Sequence, residues 1–295
     1  MALTHLLDLP GAGSVPIRPL RKTDFARWLS EAPPAVKRWL EATEFEVEAG
    51  KHRMVPGRDG EIAEVLLGLA DEPSPWDWAA LPTELPAGEF HVVGELSRKD
   101  ADAAALGFAL GTYRFDRLRK SSEKELARLA WPETCDRRRV QSAAEATFLV
   151  RDLVNAPASD LGPAELASAA EEVGKKYEGR FRVIVGDELL QRGYPAVHAV
   201  GRAASAERAP RLIDIEFGDP NHPKLTLVGK GVCFDSGGLD LKPATNMKLM
   251  KKDMGGGAQV LGLASMIRDA GLPVRLRVLI PAVENSVSGS ALRPL

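Results

Sequence analysis

A chain of 295 residues, 44% hydrophobic and 27% charged, is long enough for two domains with sizeable cores. Its formal net charge of -2 argues against nucleic acid or an anionic membrane as the main partner. Two cysteines, Cys135 and Cys233, cannot build a disulfide framework and fit a reducing compartment. No apolar run approaches the roughly 20 residues that span a bilayer. The opening MALTHLLDLPGAG lacks the basic and apolar regions of a signal peptide, so the expected location is cytoplasmic.

In chain order, Phe25, Trp28, Leu29, Val36, Trp39 and Leu40 recur at helical spacing, and Pro33-Pro34 divides that stretch into two helices. Glu61 to Leu69 and Glu89 to Gly94 read as strands separated by a Pro-rich connection. Ala101 to Leu118, rich in Ala and Leu, reads as a helix. A new pattern starts near Asp136. Helices are expected over Val140–Leu153 and over Pro163–Tyr177, the latter with Pro163 in its first turn. Strands follow over Phe181–Val185, Ala196–Val200, Leu212–Phe217, Leu225–Phe234 and Arg275–Ile280, with a helix over Ala258–Ala270. This order predicts an α/β protein. A small N-terminal α/β domain (1–135) precedes an α/β domain with a mixed, mostly parallel sheet (136–295).

The densest chemistry lies between Gly229 and Gly257, where Lys230, Asp235, Lys242 and Asp253 stand among glycines. Each has a plain reading and a functional one. Lys230 lies inside an apolar run, Leu225–Phe234, that suits a buried central strand, so it is ion-paired with an acid, emerges at a cleft, or is a metal ligand whose proton a cation displaces. Asp235 opens Asp-Ser-Gly-Gly at a strand's carboxyl end, where it forms an Asx turn or a ligand. Asp253 lies just before the helix starting near Ala258, complementing its dipole or completing a carboxylate pair. Lys242 is a solvated lysine or an electrophile for a developing oxyanion. A P-loop, an H-E-x-x-H helix and a G-x-S-x-G elbow are all missing from the sequence.

The segments VGKGVCFDSGG (228–238), LKP (241–243) and MKKDMGGGA (250–258) closely resemble the leucine (cytosol) aminopeptidase family of two-metal metallopeptidases. RDLVNAPASDLGP (151–163), HAVGRAAS (198–205) and PAVENSVSGSALRP (281–294) extend the resemblance, with family spacing kept. The resemblance implies two divalent metal ions, manganese, zinc or magnesium. Lys230 and Asp253 would bind one, Asp235 would bridge both, and Lys242 would be the catalytic lysine polarising the peptide carbonyl. It implies peptide substrates with a free N-terminus, attack by a two-metal-activated hydroxide, and a homo-oligomer, a hexamer in the family.

The family also carries a segment N-T-D-A-E-G-R-L, supplying further acidic ligands and an arginine, that these 295 residues do not contain. A C-terminally truncated member is therefore expected. Its activity should be impaired, with Asp235 the second metal's only side-chain ligand, and its open sheet edge should promote association. The rival expectation is a catalytically inactive remnant acting as an oligomerising or binding protein.

Overall fold

The computed structural model describes residues 3–118 and 125–294, which form two compact units, 1–144 and 145–295. In the first unit, strands β1 (Leu6–Leu7), β2 (Val15–Arg21), β3 (His52–Pro56), β4 (Ile62–Leu69), β5 (Glu89–Val92) and β6 (Arg128–Ala130) form one sheet in the order β1-β6-β5-β2-β4-β3. All neighbours are parallel except the edge strand β3, which runs antiparallel to β4. Side-chain alternation loads both faces. Ile17, Val65, Leu67 and Phe90 join the core containing Trp78, Leu81 and Phe108, whereas Leu20, Val55 and Leu66 face Leu40, Phe45 and Val47.

Helices α1 (Lys22–Glu31) and α2 (Pro34–Ala42) contribute Phe25, Trp28, Leu29 and Val36 to the second core, divided where the sequence predicts, at Ala32-Pro33. The short helix α3 (Leu81–Glu84) and α4 (Arg98–Gly111) cover the opposite face. Helix α4 starts on Ser97, whose hydroxyl accepts the Asp100 N–H, and ends at Gly111 rather than Leu118. The aromatic residues Tyr113 and Phe115 therefore fall outside it.

Helix α5 (Arg137–Asn155) leads into the second unit, followed by α6 (Pro163–Lys176), capped where Glu165 accepts the Gly162 N–H. The second sheet comprises β7 (Arg180–Val185), β8 (Arg211–Phe217), β9 (Lys224–Val228), β10 (Gly231–Asp235) and β11 (Arg275–Asn285). Strand β11 is its axis: β9 and β10 pair with one side, parallel, and β8 pairs with the other, antiparallel. Strand β7 completes the sheet antiparallel to β8. The α/β class with a mixed sheet is as expected, but parallel pairing dominates the N-terminal sheet. In the second sheet it is confined to β9, β10 and β11.

Two expected strands differ. Ala196–Val200 lies within α8 (Pro195–Gly201), preceded by the short α7 (Glu188–Gln191). Pro195 presets the first helical φ, and α8 packs on β11; its short Ala-Val-His-Ala-Val run imitates a strand. Leu225–Phe234 is two strands broken at Gly229-Lys230, and β9 alternates between exposed and half-buried residues. Among the described residues this is an edge, not a buried central strand. Helix α9 (Ala244–Met247), a 3-10 turn over Met250–Met254 and α10 (Gly255–Asp269) follow. Ala258, Leu261, Ala264 and Ile267 of α10 and Leu166, Ala167, Ala170 and Val173 of α6 are buried where these helices pack on the sheet and on each other.

Candidate metal centre

The break between β9 and β10 has a steric cause. A Cβ on Gly229 would lie 2.5 Å from the Gly256 carbonyl oxygen, and one on Gly256 would lie 2.9 Å from the Lys230 nitrogen. Two facing glycines thus let the first turn of α10 approach the strand backbone. The Gly257 N–H then donates to the Lys230 carbonyl at 2.7 Å, satisfying one of the helix's unpaired amino-terminal donors.

Lys230 emerges from this break with its side chain 58% exposed, which removes the desolvation cost expected of a lysine in a buried strand. Its ammonium lies 2.6 Å from Asp253 Oδ2, and Asp253 sits in the 3-10 turn two residues ahead of α10. The contact is an ion pair outside hydrogen-bond geometry: Asp253 Oδ2 is buried and accepts no directed hydrogen bond.

The pairing of β10 with β11 is irregular just before Asp235. Gly231 pairs with Ala282 and Val232 with Val283, but Phe234 pairs with Glu284 and Asp235 with Asn285, so Cys233 is an extra residue. This bulge inverts the alternation of side chains along β10 on the way to Asp235.

Asp235 closes β10. Its Oδ1 accepts the Gly237 N–H at 2.9 Å and the Asn285 Nδ2–H at 2.7 Å, and its Oδ2 lies 3.0 Å from the Lys242 ammonium. Burial pushes this carboxyl's pKa up, but hydrogen bonds from Lys242, Gly237 and Asn285 outweigh it and hold the group below the usual range. The loop back to Lys242 turns through Gly237 and Gly238, both at positive φ, and is tied by the Lys242 N–H to the Ser236 carbonyl at 3.0 Å.

The four residues singled out in the sequence therefore form two ion pairs, Lys230–Asp253 and Lys242–Asp235. Among the described residues no hydrogen bond or ion pair joins one pair to the other. The plain readings of Asp235 and Lys230 hold as geometry, since the Asx turn and the ion pair both exist. Neither excludes a ligand role. A buried carboxylate oxygen with no directed donor, beside an amine, suits a divalent cation. Among the described residues, no group of three or more His, Cys, Asp and Glu side chains gathers as a ligand set. Lys230, Asp235 and Asp253 are the candidates to hold a cation.

Sequence reasoning missed Asn285 and Lys251. Asn285 donates to Asp235 from the neighbouring strand, and Lys251 donates to the Asn155 carbonyl at 2.9 Å, fastening the turn that carries Asp253. Both residues stand in segments already noted for their spacing, but their partners are distant in sequence. Next to Asn285, the fully buried Glu284 accepts two hydrogen bonds at 2.6 Å from Arg293 and one at 2.5 Å from Arg208, which also holds the Ala158 and Ser159 carbonyls.

The model of the cytosol aminopeptidase family's catalytic domain matches residues 148–295, and that of the M17 aminopeptidase N-terminal domain matches residues 15–132. The chain belongs to the cytosol aminopeptidase family. A probable cytosol aminopeptidase of Rhodococcus opacus is 37% identical over 215 residues, 68% of this chain and 42% of the relative. One from Aeropyrum pernix is 36% identical over 209 residues, 70% of this chain and 42% of the relative. The crystal structure of cytosol aminopeptidase from Coxiella burnetii superposes with a TM-score of 0.87 at 43% identity, covering 99% of this chain and 63% of that one. The bottromycin maturation enzyme BotP in complex with Mn gives 0.76 at 32% identity, covering 96% and 62%. The chain thus spans about two fifths of the curated relatives and under two thirds of these solved structures. Among the described residues no helix is long and apolar enough to cross a membrane.

Proposed function

We propose that this chain carries the lysine–aspartate part of a metal-dependent aminopeptidase centre. It would act on peptides with a free N-terminus, in the cytoplasm, within a homo-oligomer. Family membership and the relatives named cytosol aminopeptidases support the reaction. The observation that carries the site is the buried Asp253 oxygen, which lies 2.6 Å from the Lys230 ammonium and accepts no directed hydrogen bond.

In this reading Lys230 and Asp253 would hold one divalent cation, and Asp235 would contribute to it and to a second. The cations, manganese, zinc or magnesium, would supply an activated water and polarise the scissile carbonyl. The remaining work belongs to the chain. The Lys230 nitrogen would exchange its ion pair with Asp253 for the cation. The Nζ of Lys242 is anchored on Asp235 with donors left to point at the carbonyl oxygen, where negative charge develops as the carbon becomes tetrahedral.

With two carboxylates for two cations, the 295-residue polypeptide alone should hold the second weakly and hydrolyse peptides little or not at all. Titrating the purified chain with manganese while assaying a leucyl-amide substrate tests both statements. Binding that is lost in Asp253→Asn and Asp235→Asn, with little hydrolysis, supports them. Binding unchanged in those variants overturns the site. Robust hydrolysis overturns the low activity of the polypeptide alone.

A further inference from the structure

The geometry points to Asn285 as a positioning residue that fixes the Asp235 carboxylate for a cation it does not itself touch. This rests on the reading of Asp235 as a ligand. Asp235 ends its strand and opens a glycine turn. One oxygen, Oδ2, lies 3.0 Å from the Lys242 ammonium. The other, Oδ1, is gripped by two donors, the Gly237 N–H and Asn285 Nδ2–H. Gly237 belongs to the same turn and moves with Asp235. Asn285 is the donor that comes from a different element, and it therefore sets the carboxylate against the rest of the sheet.

The Asn285 amide is oriented by chemistry, because an ionised carboxylate accepts only and the side-chain nitrogen must face it. Its backbone is anchored separately. The Asn285 carbonyl accepts the Ser236 N–H at 2.9 Å and the Ser236 hydroxyl at 2.8 Å. Next to it, the Arg208–Glu284–Arg293 cluster pins the end of β11. A donor on so fixed a mount does for Asp235 what an outer-sphere partner does for a metal-bound carboxylate: it removes rotational freedom and keeps the ligand lone pairs aimed.

Asn285→Ala deletes the donor but leaves both main-chain bonds from Ser236, so the fold should persist. Manganese affinity is measured on the full chain, together with the melting temperature of the metal-free protein in chelator. The expected result is a 10–100-fold weaker affinity for manganese with the metal-free melting temperature unchanged. An affinity equal to that of the unsubstituted chain, while Asp235→Asn binds poorly, overturns the role of Asn285 alone. A marked fall in metal-free melting temperature assigns Asn285 to the scaffold and also overturns it. If Asp235→Asn binds manganese as well as the unsubstituted chain, or if that chain binds none, the ligand reading fails and takes this inference with it.

Discussion

The Gly257 N–H donates to the Lys230 carbonyl at 2.7 Å, so the amino terminus of α10 is welded to the strand break from which the Lys230 side chain emerges. The glycines around this bond are not equivalent. Gly229→Ala drives a methyl to 2.5 Å from the Gly256 carbonyl oxygen and 2.6 Å from Val260. It should destabilise the second unit by about 2 kcal/mol or more. Gly257→Ala meets the Ile280 Cγ2 methyl at 3.0 Å and the Lys230 carbonyl oxygen at 3.4 Å, and gains up to about 1 kcal/mol of helix propensity, so its net change should lie within about 1 kcal/mol of zero. Urea unfolding of the two variants checks the contrast; equal midpoints would refute it.

Gly237 is constrained twice. Its φ is +90°, and a Cβ there would lie 2.1 Å from the Asp240 carbonyl oxygen. Gly237→Ala should therefore cost about 1–3 kcal/mol and displace the N–H that grips Asp235. Manganese affinity should fall with it, whereas Gly271→Ala serves as a strain-only control. Gly271 also has positive φ, but no atom lies within 4 Å of an added methyl. It should lose stability without loss of affinity.

Much of the architecture is legible in the pattern of residues, and the exceptions share a cause. Helices α1, α2, α6 and α10 announce themselves by 3.6-residue spacing, and the last three also by proline or glycine at their starts. Helix α8 does not, because the five residues Ala-Val-His-Ala-Val are too short a run to show a period and only its packing on β11 decides. The charges of the candidate site are visible by type and crowding. Their partners are not. Lys230 finds Asp253 because two glycines admit a helix end, Lys242 finds Asp235 across a glycine turn, and the bulge at Cys233 exists only as a register between β10 and β11. Such features depend on neighbours distant in sequence, and no local period encodes them.

Glu284 offers a test of how firmly β11 is held. It is fully buried between Arg208 and Arg293. Glu284→Ala strands two guanidinium groups and should destabilise the second unit by about 3–5 kcal/mol. Glu284→Gln keeps two polar atoms and should cost less. Chemical denaturation of both variants measures the order, and an alanine variant as stable as the glutamine one would show that the cluster contributes nothing.

The thiols should be inert while the chain is folded. Burial pushes Cys135 up to about 12 and Cys233 higher, with nearby acidic groups adding to the shift. A thiol reagent near neutral pH should label neither quickly in the native protein and both in denaturant. Rapid labelling of Cys233 would mean that β10 opens readily at its bulge.

Acid should loosen the second sheet through Glu216, which lies on β8 between Arg180 of β7 and Arg275 of β11. The hydrogen bond from Arg275, helped by Arg180, outweighs burial and holds the carboxyl below its ordinary 4.5. The folded state thus binds the proton less readily than the unfolded one. The stabilisation is complete above 4.5 and is lost as pH falls through the lower folded value. It should amount to about 1 kcal/mol, since both arginines are partly solvated. Glu216→Gln should lower the urea midpoint near pH 7 and flatten its decline towards about pH 3. Parallel curves for the variant and the unsubstituted chain would show that other carboxylates carry the acid transition.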